Sequence, residues 1–83
     1  MASFRYAASA IREVDAIAQS RANGESWLTS LEDILVKLAN FPHMGRIRDD
    51  LMPEAYAFPF RDHNIFYDLE DGGIVVLHVR TPR

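Results

Sequence analysis

The chain has 83 residues, 48% of them apolar, and twelve acids against nine Lys and Arg, for a net charge of −3. That suffices for one hydrophobic core, is too apolar for a disordered chain, and lacks the positive excess of proteins that grip phosphates. With no cysteine, disulfides and thiolate metal sites are excluded, and no apolar run, Ile74 to Leu77 included, exceeds four residues, far short of a membrane span.

The opening MASFRYAAS has no signal-peptide core. A single soluble, cytoplasmic domain over residues 1–83 is expected, with a protein as its partner. Phe4 and Tyr6 alternate with Ser3, Arg5 and Ala7 as in a short half-buried strand. Ser9 reads as a helix N-cap, and Ile11, Val14, Ile17 and Ala18 then mark one face of a first helix. Asn23-Gly24 breaks it, since both residues tolerate positive φ. Trp27, Leu31, Ile34, Leu35 and Leu38 define a second helix over about 25–40, stopped by Pro42. The two helices should pair as an antiparallel hairpin.

Residues 43–54 read as loop. Tyr56, Phe58 and Phe60 alternate in a strand that Pro59 confines to an edge or a bulge. Arg61-Asp62 makes a turn, and residues 63–69 and 74–79 form a hairpin around Glu70-Asp71-Gly72-Gly73. Patterning favours an odd loop, Asp71-Gly72-Gly73, because it groups Ile65, Tyr67 and Leu69 with Val75, Leu77 and Val79 on the helical side. Asn64, Phe66, Asp68, Ile74, Val76, His78 and Arg80 would then share an open face. The expected fold is two-layer α+β, β-α-α-β-β-β, a helical hairpin packed on one face of an antiparallel sheet.

That open face, with Phe66, Ile74 and Val76 side by side, is the feature that asks for a partner, because contiguous exposed apolar area marks interaction sites. His43, His63 and His78 show no ligand spacing, so no metal and no cofactor is expected. An acid–base role is conceivable only for His78, beside Arg80. Arg46, Arg48, Asp49 and Asp50 read as a solvated network, and no serine lies in a nucleophile elbow.

The ordered residues Phe41, Pro42, Gly45, Arg46, Arg48 and Leu51, then Phe58, Pro59, Phe60, His63, Ile65, Phe66 and Tyr67, then Gly73-Ile74, resemble the RelE/ParE superfamily of bacterial toxins, on the ParE side. The resemblance is strongest over 41–79. It implies the toxin of a type II toxin–antitoxin system, of the kind linked to plasmid stabilisation, neutralised in a hetero-oligomer by a cognate antitoxin whose C-terminal segment wraps it. ParE-type members inhibit DNA gyrase; RelE-type members cut mRNA in the ribosome. Asn64 stands where the nucleases commonly carry arginine, and Asp68 on the same face would repel phosphate. The preferred expectation is therefore action by protein binding, with no direct nucleic acid contact and no catalytic residue. Asn64, Phe66, Ile74, Val76, His78 and Arg80 would meet the antitoxin, and Arg46, Arg48 and Arg83 the target.

The alternatives are a ribosome-dependent endoribonuclease using His78, Arg80 and Arg83, or a non-toxic interaction module that keeps the fold. Two departures from the family pattern, Thr81 at a histidine position and a shortened helical hairpin, bear on whether toxicity is retained.

Overall fold

The computed structural model describes residues 2–48 and 55–81. In chain order it runs β1 (Ser3–Tyr6), α1 (Ala8–Gln19), α2 (Gly24–Asn40), a 3₁₀ turn (Pro42–Met44), β2 (Arg46–Arg48), β3 (Ala55–Phe60), β4 (His63–Glu70) and β5 (Gly73–Arg80). The five strands form one sheet in the order β1-β5-β4-β3-β2. The α+β, two-layer expectation holds, with two corrections. Arg46–Arg48, read as loop, is a short strand on β3, and β1 runs parallel to β5, so the sheet is mixed. A three-residue strand is too brief to show alternation, and parallel pairing follows from where the helices return the chain.

The helices bury what their spacing promised, with one exchange. Trp27, Leu31, Leu35 and Leu38 of α2 are fully enclosed, each worth about 1.5–3 kcal/mol. On α1 the buried pair is Ala10 and Val14, while Ile11 faces water. Small Ala10 lets α1 approach β5 closely, where the larger isoleucine would hold it off. Ser9 is not the N-cap: Ala7 holds that position, and the Ser9 hydroxyl instead donates to the Leu77 carbonyl at 2.9 Å. Asn23 keeps a negative φ, and Gly24 matters for space, because a Cβ there would lie 2.2 Å from the Ala18 carbonyl oxygen. It allows the two helices to turn tightly on each other.

The hairpin register corrects the largest sequence expectation. Asn64 to Phe66 pair with Arg80 to His78 in the expected parity. A β-bulge between Phe66 and Tyr67 then leaves Leu77 without a partner, and Tyr67 to Glu70 pair with Val76 to Gly73 in the opposite parity. The turn is the two residues Asp71-Gly72, with Gly72 at φ 81°, and not three. Ile74 and Val76 consequently point under the helices and are fully buried, together with Ile65, Tyr67 and Val79. Leu69, expected inside, is 40% exposed. The extra residue re-aims one half of the strand. Gly73 is forced by β1, since a Cβ there would stand 1.6 Å from the Ser3 carbonyl oxygen.

Candidate functional site

Residues that share a face can be followed from strand to strand. On the side away from the helices, Arg46 pairs with Ala57, Ala57 with Phe66, and Phe66 with His78, giving one row across four strands. Pro59, Asn64 and Arg80 form the row beside it, and Asp68, Val75 and Arg5 the row on the other side. Of the residues expected to meet a partner, Asn64, Phe66, His78 and Arg80 do lie together on this open face. Ile74 and Val76 do not. The apolar content of the face is half-buried Phe66 and Val75, next to the small Ala57.

One end of the face is tied to α1. The Glu13 carboxylate accepts from Arg80 Nε at 2.7 Å and from the Val79 amide at 3.0 Å, and lies 3.2 Å from His78 Nδ1. The last contact is a hydrogen bond when the proton sits on Nδ1. Burial alone pushes the Glu13 carboxyl up, but the bonds from Arg80, Val79 and His78 outweigh it and leave it below the usual carboxylate range. The arrangement has a structural cause. β1 ends at Tyr6, so the far half of β5 would present an open edge; the Ala7 amide on Val76, the Ser9 hydroxyl on Leu77 and Glu13 on Val79 close it.

Across the face, Arg5 Nε reaches Glu70 at 2.9 Å. The arginines at β1 and β5 are thus each matched by an acid, whereas β2 carries Arg46 exposed at the sheet's other margin. Arg83, Asp49, Asp50 and Leu51 lie outside the described residues.

The turn that the family-like motif builds has a separate, structural explanation. The Tyr67 phenol accepts from the Gly45 amide at 3.0 Å and donates to the Pro42 carbonyl, pinning the 3₁₀ turn to β4. Its ring stacks on Tyr56 at 5.4 Å, and His43 meets Tyr56 edge-on at 5.8 Å. Gly45 is needed because a Cβ would lie 2.2 Å from the Tyr67 oxygen. His63 is buried at the start of β4, with Nδ1 3.0 Å from Asp62, which also binds Arg21. Two of the three histidines therefore serve packing. Among the described residues no group of three His, Cys, Asp or Glu could hold a metal, and no helix is long and apolar enough to cross a membrane.

Glu13 and the Tyr67 hydroxyl were missed from sequence. Glu13 sits off the apolar stripe of α1 and meets partners 65 to 67 residues away, so no local signal marks it. The phenol left its own trace: a tyrosine on an otherwise apolar face needs a polar partner.

Against known proteins, no curated relative matches the chain. A family model does match, over residues 4–83, described as the ParE toxin of the type II toxin–antitoxin system, parDE. That match spans nearly the whole chain and agrees with the helical hairpin on a five-stranded sheet. The chain belongs to the ParE toxin family of type II toxin–antitoxin systems.

Proposed function

We propose that the protein acts as a toxin by binding DNA gyrase, without catalysis of its own, and that an antitoxin neutralises it by covering the open sheet face around Asn64, Phe66, His78 and Arg80. Family membership supplies the antitoxin partner. The observation that carries the non-catalytic part is Glu13. In the alternative, an mRNA endoribonuclease, His78 and Arg80 would have to meet a phosphate and move its protons. Both are instead engaged by one carboxylate, whose negative charge repels a phosphodiester at that spot. Asp68 on the same face adds a second repulsive charge, and Asn64, beside Arg80, brings none to offset it.

Arg46, Arg48 and Arg83 are assigned to the target from sequence, a reading supported by the exposure of Arg46 at the opposite margin. Phe66 is the apolar anchor for the antitoxin, since a large ring flanked by small Ala57 offers a depression and a knob to a partner segment.

Induced expression without the antitoxin separates the two chemistries. Gyrase inhibition predicts arrested growth with a DNA-damage response and intact messages. Codon-specific cleavage of mRNA, lost in Arg80→Ala, would establish the endoribonuclease instead. Unimpaired growth with neither signal would leave a binding module without toxicity.

A further inference from the structure

We propose that the cleft between the α1–α2 connection and the β3–β4 turn binds the phosphate group of a small phosphate monoester. The site lies on the helical side of the sheet, where Trp27 packs on Phe60 and His63. It is separate from the open face and does not depend on gyrase being the target.

The cleft holds about 260 Å³ and is lined by Arg21, Ala22, Asn23, Ser26, Trp27 and Arg61. Two of these are cations, each set against an aromatic ring. The Arg21 guanidinium is 5.5 Å from the centre of the Trp27 ring, and that of Arg61 is 5.5 Å from the centre of Phe60. Both are tethered through Nη2 alone. Arg21 meets Asp62 at 3.0 Å and Arg61 the Ser30 hydroxyl at 3.0 Å, and no acceptor among the described residues meets the Nε or Nη1 of either. Arg61 thus has no acidic partner among the described residues, and the Asp62 carboxylate is shared between Arg21 and His63 Nδ1. The lining keeps a net positive charge.

The other polar groups there are short of acceptors. Asn23 stands at the N-cap of α2 without a side-chain cap bond, so the first-turn amides have neither an intrahelical acceptor nor a cap. Trp27 is the independent observation. It is 1% exposed and lines the cleft, and its Nε1–H is a buried donor with no acceptor among the described residues. Buried donors are ordinarily satisfied, so one left unmet beside two half-used guanidiniums marks a place for an acceptor.

A phosphate monoester supplies what is missing. Guanidinium forks and helix-terminal amides are the groups that grip phosphate, and a monoester offers them three terminal oxygens. A carboxylate offers two. A nucleic-acid phosphodiester also offers two, with a single charge. The adjoining hollow, which shares Ala22, Asn23 and Ser26, carries Asp15 and Glu25 and would repel the same ligand, so binding is confined to the arginine side.

The test is titration of the isotope-labelled full chain with glycerol phosphate at constant ionic strength. Inorganic phosphate, acetate, dimethyl phosphate and a short RNA without terminal phosphates are the comparisons. The chain has one tryptophan, so a single indole N–H resonance reports the buried donor. Saturable shifts of that resonance and of the amides of residues 24–26 are expected, with the monoester tighter than inorganic phosphate and the other three at least tenfold weaker. Arg61→Gly suits the backbone, since Arg61 sits at φ 56°, and should fold while weakening the monoester about tenfold or more. Arg61→Lys keeps the charge without the fork and should lose less. Four results would overturn the proposal: no saturation at millimolar monoester, an unmoved indole resonance, equal or tighter binding of any comparison, or unchanged affinity in Arg61→Gly. No gyrase or antitoxin is present in this assay, so its failure is distinct from failure of the toxin proposal.

Discussion

Removing the Tyr67 hydroxyl should cost more than its size suggests. The phenol satisfies the Gly45 amide and the Pro42 carbonyl, both partly buried. Orphaning a fully buried group costs about 1–3 kcal/mol, so two partly shielded ones together come to roughly 1.5–3 kcal/mol in Tyr67→Phe. For a domain of this length, that lowers Tm by roughly 6–24 °C. Gly45→Ala tests the other side of the same contact. Gly45 sits at φ −79° and ψ 165°, which alanine adopts freely. Chain entropy alone would make the substitution stabilising by about 0.4–1 kcal/mol. The 2.2 Å approach to the phenol oxygen predicts the opposite, a loss of roughly 1–3 kcal/mol. In the Tyr67→Phe background that nearest clash is gone, though ring carbons at 2.9 and 3.0 Å remain, so relief is partial. Denaturant unfolding of the two single variants and the double should show a coupling of about 1 kcal/mol or more. Strict additivity, or a stabilised Gly45→Ala, would refute the clamp.

Four further outcomes follow from the fold. Glu13 has a depressed carboxyl pKa, so its contribution is present above the ordinary value of 4.5 and fades as pH falls through the folded-state value. Glu13→Gln should lose about 1 kcal/mol at pH 7 in urea titrations and converge with the parent in acid. Tyr6 behaves in the reverse sense. Burial, and then nearby Glu32, push its phenol up to about 12, so its contribution is intact below pH 10 and lost as pH rises towards 12. Because its buried hydroxyl has no protein partner among the described residues, Tyr6→Phe should be neutral or stabilising at pH 7 and should flatten the alkaline loss seen by circular dichroism. Finally, Ile74→Ala should cost roughly 2–5 kcal/mol. Phe66→Asp should abolish antitoxin binding in calorimetry with a much smaller fall in Tm, and a collapse of the fold would mean that Phe66 is core.

The sequence was most legible where periodicity acts alone. The spacing of Trp27, Leu31, Leu35 and Leu38 placed α2 to within a residue, and Arg61-Asp62 was read correctly as a two-residue turn. It was least legible at the last hairpin. Seven of the eight residues of β5 are Gly, β-branched, Leu or His, so either parity buries apolar surface, and the choice falls to turn length and the bulge at Leu77. That single extra residue moved Ile74 and Val76 from the surface assigned to a partner into the core. Four of the six residues assigned to the open-face site survived because Asn64, Phe66, His78 and Arg80 lie on the far side of the bulge. Ser9 and Glu13 illustrate a different limit. Their chemistry was visible, but their partners on β5 are set by the third dimension, where α1 replaces a missing strand.

The most direct test of the central claim is supercoiling by purified gyrase in the presence of the purified protein. Dose-dependent inhibition that persists in Arg80→Ala and is relieved by equimolar antitoxin is predicted. Full supercoiling at saturating, folded protein would contradict it.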